Sequence, residues 1–274
     1  MRIFVLISTI DEGIRRVPDV LLSAADGVEY IVVWQQEQMV GEEIPRVLLD
    51  RADVLVEVMQ GRGLCRSRNR ALELAVNRLK NPLEDAVMIL ADDDERFESD
   101  AFTTLRDIYG QHPKLDVALL RLRSSRDGSD LKPYPDSWTA YRHRPRTYYP
   151  SSLEMTVRSR VLSTGIRFDE RFGLGARELC AGEEEVFLVE VLRRKLCAMV
   201  VPAYIATTEP ATTGARVLDT KMLRSKGAVY GYRLSLPLAF LRSWREALSL
   251  AVRNRVSPFG LFRQLWWGVK YVRR

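Results

Sequence analysis

A chain of 274 residues, 46% hydrophobic and 28% charged, has the composition of an ordinary folded protein and the length to bury a full core. Three widely spaced cysteines (Cys65, Cys180, Cys197) and two histidines (His112, His143) argue against a disulfide framework, a Cys/His zinc pattern and a histidine-based triad, and they suit a reducing, cytoplasmic compartment. The net charge of +6 hides an asymmetry: residues 216–274 carry 13 Lys/Arg against 2 Asp/Glu, and the remainder 29 against 34, so an acidic body precedes a basic tail that suits a polyanionic partner.

Residues 2–8, 29–34, 53–59 and 86–91 read as strands, the last as six apolar residues in a row, the pattern of a strand buried on both faces. The apolar run at 3–7 is too short for a secretory signal. No run reaches the ~18 apolar residues that span a bilayer. A helix is predicted over 65–79, with Leu72, Ala75, Val76 and Leu79 at helical spacing. A second covers 99–111, capped by Ser99 and followed by Pro113. A strand at 115–122 completes a βαβα alternation, which implies an α/β fold with a mostly parallel sheet flanked by helices. Residues 124–150, rich in Gly, Pro, Asp, Tyr and Arg, form a long excursion. A strand passing into a short helix follows at 153–162, then a helix from 182 or 183 to 195 and a strand at 198–201. From about 217 the chain reads as helical and amphipathic, interrupted at Pro237 and Pro258.

Four segments carry chemistry. Asp92-Asp93-Asp94 closes the buried strand, where ligands sit in open α/β sheets. Mg²⁺ prefers one or two carboxylates plus phosphate oxygens, so the run suits a metal and a phosphorylated ligand; the plainer alternative is a solvated acidic turn. Ser8-Thr9-Ile10-Asp11-Glu12-Gly13 follows the first strand and offers small hydroxyls to a nucleotide, or makes an ordinary turn. Gly61-Arg62-Gly63-Leu64-Cys65-Arg66-Ser67-Arg68-Asn69 opens a helix with arginines suited to phosphate, without the Gly-Lys-Ser/Thr of a P-loop. Finally, Phe168-Asp169-Glu170-Arg171-Phe172-Gly173 precedes Gly182-Glu183-Glu184-Glu185. Glutamates favour a helix N-terminus, and one facing a cleft can act as a general base.

In this order the segments resemble the family-2 glycosyltransferases of the GT-A fold, those that build bacterial surface polysaccharides among them. The resemblance rests on Leu6-Ile7-Ser8-Thr9, Arg68-Asn69-Arg70-Ala71, Asp92-Asp93-Asp94, Phe168 to Gly173 and Gly182-Glu183-Glu184, and covers roughly residues 1–215. It implies a GT-A (Rossmann-like) domain over 1–215 with a basic helical extension over 216–274. It also implies inverting, hexosyltransferase-like transfer from a nucleotide sugar, most often UDP-linked, to a hydroxyl of a glycan or lipid-linked acceptor. On that analogy Asp94 and Asp92 end a DXD motif and hold Mg²⁺ or Mn²⁺ against the diphosphate. Asp92 or Asp93 touches ribose or sugar, Arg68 lies beside the nucleotide, and Ser8 and Thr9 contact base or ribose. Glu184 is the base that deprotonates the acceptor and Glu183 orients it, with the two roles exchangeable.

The chain departs from the family in two places. An acidic residue that reads the nucleobase is replaced by Trp34-Gln35-Gln36, leaving Gln35 for that contact. A late His-Pro is replaced by Thr208-Glu209-Pro210, followed by Thr212-Thr213-Gly214, so either Glu209 binds the metal or the metal takes no ligand there. The aromatic and basic residues of 244–274 suit either an interfacial helix on an anionic membrane, at the inner face of the plasma membrane, or packing on the protein or a second subunit; nucleic acid is not expected. Two rival functions are a sugar-phosphate nucleotidyltransferase, whose Gly-rich, Lys-bearing loop is missing here, and a non-catalytic membrane-peripheral assembly protein.

Overall fold

The structure, a computed structural model, describes residues 1–37, 43–81, 84–209 and 218–273. In chain order the elements are β1 (Arg2–Ile10), β2 (Val28–Gln36), α1 (Arg46–Leu49), β3 (Val54–Gln60), α2 (Leu64–Asn77), β4 (Ala86–Asp92), β5 (Arg96–Phe97), α3 (Ala101–Gln111) and β6 (Val117–Ser124). They continue with β7 (Thr139–Ala140), β8 (Met155–Arg158), α4 (Ser159–Ser163), α5 (Glu183–Arg193), β9 (Ala198–Thr208), α6 (Thr220–Arg233), α7 (Leu236–Asn254) and α8 (Pro258–Tyr271). Two compact units result: Met1–Arg62, Arg66–Arg167 and Glu190–Pro210 form the first, and Gly63–Cys65, Phe168–Val189 and Ala211–Arg274 the second.

The first unit contains the sheet, in the order β3-β2-β1-β4-β8-β6-β9-β5, with β7 also on β9. Its long pairings, β1 with β2 and β4, β2 with β3, and β6 with β9, are parallel. The short β8 runs antiparallel between β4 and β6. The α/β class and mostly parallel sheet expected from the sequence are therefore present. β1 and β4 are buried almost throughout, as continuous apolar runs require of inner strands with both faces covered.

Three boundaries differ for identifiable reasons. β4 continues through Asp92, so the first aspartate of the trio is a strand residue. α3 starts at Ala101 with Asp100 at its N-cap, and neither Asp100 nor Ser99 serves as the side-chain cap expected of Ser99. β9 runs to Thr208 rather than ending at 201, because a bulge absorbs Pro202: Leu119 of β6 pairs with Val200, and Arg121 with Tyr204.

In the second unit Pro237 and Pro258 lie in the first turns of α7 and α8, where a missing N–H costs nothing. The prolines therefore begin helices rather than interrupt one. α6 and α8 touch backbone to backbone: a Cβ on Gly227 would lie 1.8 Å from the Leu265 carbonyl oxygen, and one on Gly268 1.9 Å from that of Arg224. Leu223, Tyr230, Ala239, Ala247, Leu250, Leu261, Leu265 and Val269 fill the space between the three helices. No helix among the described residues is long and apolar enough to cross a membrane.

Candidate functional site

Within the first unit, four separated segments meet at the carboxyl ends of β1, β2 and β4. Ser8 stands opposite Asp92 in the β1–β4 ladder, and Ile10 opposite Gln35 in the β1–β2 ladder. The start of α2 joins them: Ser67 Oγ donates to Ser8 Oγ at 2.8 Å, and Arg68 Nη2 lies 3.4 Å from Asp92 Oδ1. Ser8, Thr9, Gln35, Arg68 and Asp93 are all buried. The structure thus brings together seven of the nine residues singled out by sequence: Ser8, Thr9, Gln35, Arg68, Asp92, Asp93 and Asp94.

Their states differ sharply. Asp93 is fully engaged, accepting from Thr9 Oγ1 at 2.5 Å on one oxygen and from Arg16 Nε and Nη2 at 3.1 and 2.5 Å on the other. Gly13 is required beside this knot, since a Cβ there would lie 2.1 Å from Asp93 Oδ2. The Ser8–Gly13 segment runs into a 3-10 turn (Asp11–Arg15), with the Asp11 carbonyl accepting from Trp34 Nε1 at 2.8 Å. The turn alternative is realised there, and the two hydroxyl residues still sit at the strand end. Gln35 Nε2 is buried without a hydrogen-bond partner, which costs about 1–3 kcal/mol unless a ligand supplies an acceptor.

The acidic trio is under electrostatic tension. Burial pushes the Asp92 carboxyl up; the Arg68 guanidinium opposes the shift, and the charges of Asp94 and Asp93 add to it. Glu95 is fully buried, and neither of its side-chain oxygens has a hydrogen-bond partner. Burial, then Asp92 and Asp94, hold its carboxyl well above the usual carboxylate range. Nothing in the sequence marks it, because an acid after three acids reads as solvent-facing. Among the described residues no three His, Cys, Asp or Glu side chains gather as a metal cage. The donor set still fits Mg²⁺ or Mn²⁺, which take one or two carboxylates and complete their shell with phosphate and water. Asp94 is exposed, Asp92 is partly so, and their mutual repulsion is what a cation would relieve. Glu209 is described and exposed, whereas Pro210, Thr212, Thr213 and Gly214 lie outside the described residues.

The remaining two residues, Glu183 and Glu184, open α5 in the second unit. Gly182 precedes them at φ +96°, a conformation glycine adopts readily, and a Cβ there would lie 2.7 Å from Val229 Cγ2. Glu183 is buried and Glu184 half-buried. A Cβ on Gly173 would lie 3.3 Å from Glu183 Oε1 and 3.2 Å from Cys65 Sγ, so this glycine lets the loop close over the Glu183 carboxylate. The Phe-Asp-Glu segment is architectural: Phe168 stacks on Phe187 at 4.7 Å, and Asp169 accepts from Tyr232 Oη at 2.7 Å and Arg171 Nη2 at 2.7 Å. Burial alone would raise Asp169, but these donors outweigh it and hold its carboxyl below the ordinary value.

The excursion over 124–150 carries a second polar knot that the sequence did not reveal. Glu154, 1% exposed, accepts from Lys132 Nζ at 2.5 Å, Tyr148 Oη at 2.7 Å and Tyr134 Oη at 3.0 Å. Tyr134 and Tyr148 thus tie down the excursion, while Trp138 and Tyr149 are exposed. Charge pairing between residues 22 positions apart leaves no local pattern to read.

No protein-family model matches the sequence, and no curated protein does. Among solved structures the chain is similar to TarS of S. aureus. It aligns with TarS 1–349 in complex with UDP at a TM-score of 0.60 and 14% identity, over 99% of this chain and 83% of that one. With TarS 1–349 in complex with UDP-GlcNAc the TM-score is 0.56 at 15% identity, over 88% and 70%. Against the longer TarS structure the TM-score is 0.55, and the match spans 42% of that chain. At such identity the likeness is one of fold, and it supports the GT-A-like α/β architecture expected from the sequence.

Proposed function

We propose that this chain is a metal-dependent, inverting glycosyltransferase that moves a sugar from a nucleotide sugar, UDP-linked, to a hydroxyl of a glycan or lipid-linked acceptor. One observation carries the reading: Ser8, Thr9, Gln35, Arg68 and the Asp92–Asp94 trio converge on the carboxyl ends of three parallel strands. Such a strand edge is where α/β sheets bind ligands. The solved TarS complexes with UDP and UDP-GlcNAc support the donor class. Residues 1–215 are the transferase domain and 216–274 its basic extension.

Ser8 and Thr9 lie against ribose and base, and the unpartnered Gln35 amide reads a carbonyl of the base. Arg68, held rigid by burial, places its charge beside the diphosphate. Asp94, with Asp92, would hold Mg²⁺ or Mn²⁺. Bound there, the ion would supply Lewis-acid neutralisation of the leaving diphosphate. Asp93 keeps Thr9 and the Asp11–Arg15 turn in place through its three hydrogen bonds. Glu184 accepts the proton of the acceptor hydroxyl as its oxygen bonds to the anomeric carbon, and the anomeric carbon–phosphate oxygen bond breaks to release UDP with inversion. Glu183, sheltered by Gly173, orients the acceptor.

The test is to incubate the protein with UDP-sugars and candidate acceptors, with and without Mg²⁺ or Mn²⁺, and to assay UDP. Metal-dependent UDP release that Asp94→Ala and Glu184→Ala abolish is the expected result. Pyrophosphate release would assign a nucleotidyltransferase instead. The absence of any nucleotide-dependent thermal stabilisation would leave a non-catalytic assembly protein.

A further inference from the structure

The aromatic residues that made the C-terminal extension look interfacial are packed against one another. Trp244 stacks on Phe262 at 4.2 Å with an interplanar angle of 12°, and Phe240 meets Phe262 and Trp266 edge-on at 5.3 Å. Leu250, Leu261 and Leu265 are buried in the same cluster. α7 nevertheless has a second apolar face. Ala239, Ser243, Ala247, Leu250 and Ala251 face the interior. Leu238, Leu241, Leu248 and Val252 recur on the opposite side at helical spacing, each more than half exposed and Val252 80%. Phe259, at the start of α8, meets Trp244 edge-on at 5.6 Å at the rim of the cluster and is still 71% exposed.

Cations alone accompany this stripe. Arg242, Arg245 and Arg253 lie on or beside it, and Arg255 follows the helix. The single acidic residue of 235–274, Glu246, is turned inward to Lys226 Nζ and Tyr230 Oη, with Arg242 Nη2 also 4.0 Å from its carboxylate. These bonds outweigh burial and hold its carboxyl low.

We propose that the outer face of α7, rather than the aromatic cluster, docks on an anionic lipid surface. Leu238, Leu241, Leu248 and Val252, with Phe259, sink into the acyl boundary. Arg242, Arg245 and Arg253 lie along the lipid phosphates with their aliphatic stems against the apolar layer. Charge decides against a second copy of the chain as the occupant. In a helix pair, Leu241, Arg245, Leu248 and Val252 would form the seam, and Arg245 would meet its own image, because the one carboxylate of α7, Glu246, is engaged by Lys226 and Tyr230. At a bilayer the same arginine has phosphate partners. This inference does not depend on the transferase reading.

The test is co-sedimentation of the full chain with vesicles of phosphatidylcholine and phosphatidylglycerol in equal parts, and with vesicles of phosphatidylcholine alone. Binding is expected to the anionic vesicles only and to weaken with salt. The triple variant Leu241→Ser, Leu248→Ser, Val252→Ser should bind on the order of tenfold more weakly or less. Arg245→Glu with Arg253→Glu should abolish binding. All these positions are exposed, so the variants should keep the wild-type circular dichroism and the wild-type response to UDP, which separates this outcome from failure of the donor-site reading. Wild-type protein that ignores anionic vesicles at low salt would overturn the proposal. So would binding that the triple variant retains in full, or a wild-type dimer that the triple variant converts to monomer.

Discussion

The buried guanidinium of Arg68 lies 3.4 Å from the carboxylate of Asp92, joining the first turns of α2 to the last residue of β4. This pair ties the strand end to the helix start and sets a fixed positive charge among the acids. Because Asp92 keeps a third of its side chain open to solvent, removing the arginine leaves a carboxylate that water can partly answer. Arg68→Met should lower stability by about 2 kcal/mol or more in urea titration. It should also raise the Kd for UDP at least tenfold by calorimetry. Arg68→Lys should restore most of the stability but not the nucleotide affinity, because an ammonium lacks the planar fork.

The aspartates of the trio separate by assay. Asp93→Ala removes an acceptor for Thr9 and Arg16 and should cost about 1–3 kcal/mol of stability. Asp94→Ala, at an exposed position, should change stability by less than about 0.5 kcal/mol. It should nevertheless remove the extra thermal shift that Mn²⁺ adds to UDP. Equal effects of the two substitutions on both measurements would refute this division of labour.

Glu154 and Lys132 test the excursion. Glu154→Gln leaves the Lys132 charge buried without its counterion and should destabilise by roughly 3–5 kcal/mol. Adding Lys132→Met should recover a large part of that loss. The double-mutant cycle in guanidinium unfolding gives the coupling directly.

Asp169 gives the second unit an acid-sensitive lock. Its folded carboxyl lies below the ordinary 3.8, so at low pH the unfolded chain binds the proton first. The contribution is therefore complete above about pH 5 and is lost as pH falls through the folded value. Asp169→Asn should flatten this part of the stability–pH curve on its acid side and lower stability at neutral pH. Unchanged slopes in the wild type and the variant would sink the assignment.

Gly182→Ala places a methyl group 2.7 Å from Val229 Cγ2 at φ +96°. It should cost roughly 1–3 kcal/mol and shift the Glu183–Glu184 turn, read as a fall in Tm and in the rate of UDP release. Val229→Ala in the same background relieves the clash but not the backbone strain, so partial recovery is expected.

Much of the architecture was legible in the amino-acid pattern. Continuous apolar runs at 3–7 and 86–91 marked the inner strands, and their alternation with helical spacing implied a parallel sheet. The convergence of Ser8, Arg68 and Asp92 was readable because strand ends and helix starts in such a sheet share one edge. Less was readable where partners are distant or backbones touch. The Asp93–Arg16 and Glu154–Lys132 pairs, the orphaned carboxyl of Glu95 and the Gly227–Leu265 contact follow no local periodicity.

The sequence by itself determined the order of elements, the fold class and the residue types gathered at the strand ends, because those follow from side-chain periodicity and turn chemistry. Only the tertiary structure decided which acids are free to meet a ligand. Asp94 is open, Asp93 is consumed by hydrogen bonds and Glu95 is sealed away, although the three stand side by side in the chain. It also decided which apolar face of the extension is inside. The reason is the same in both cases: burial and hydrogen bonding depend on segments brought together by folding, and neighbours along the chain carry no record of them.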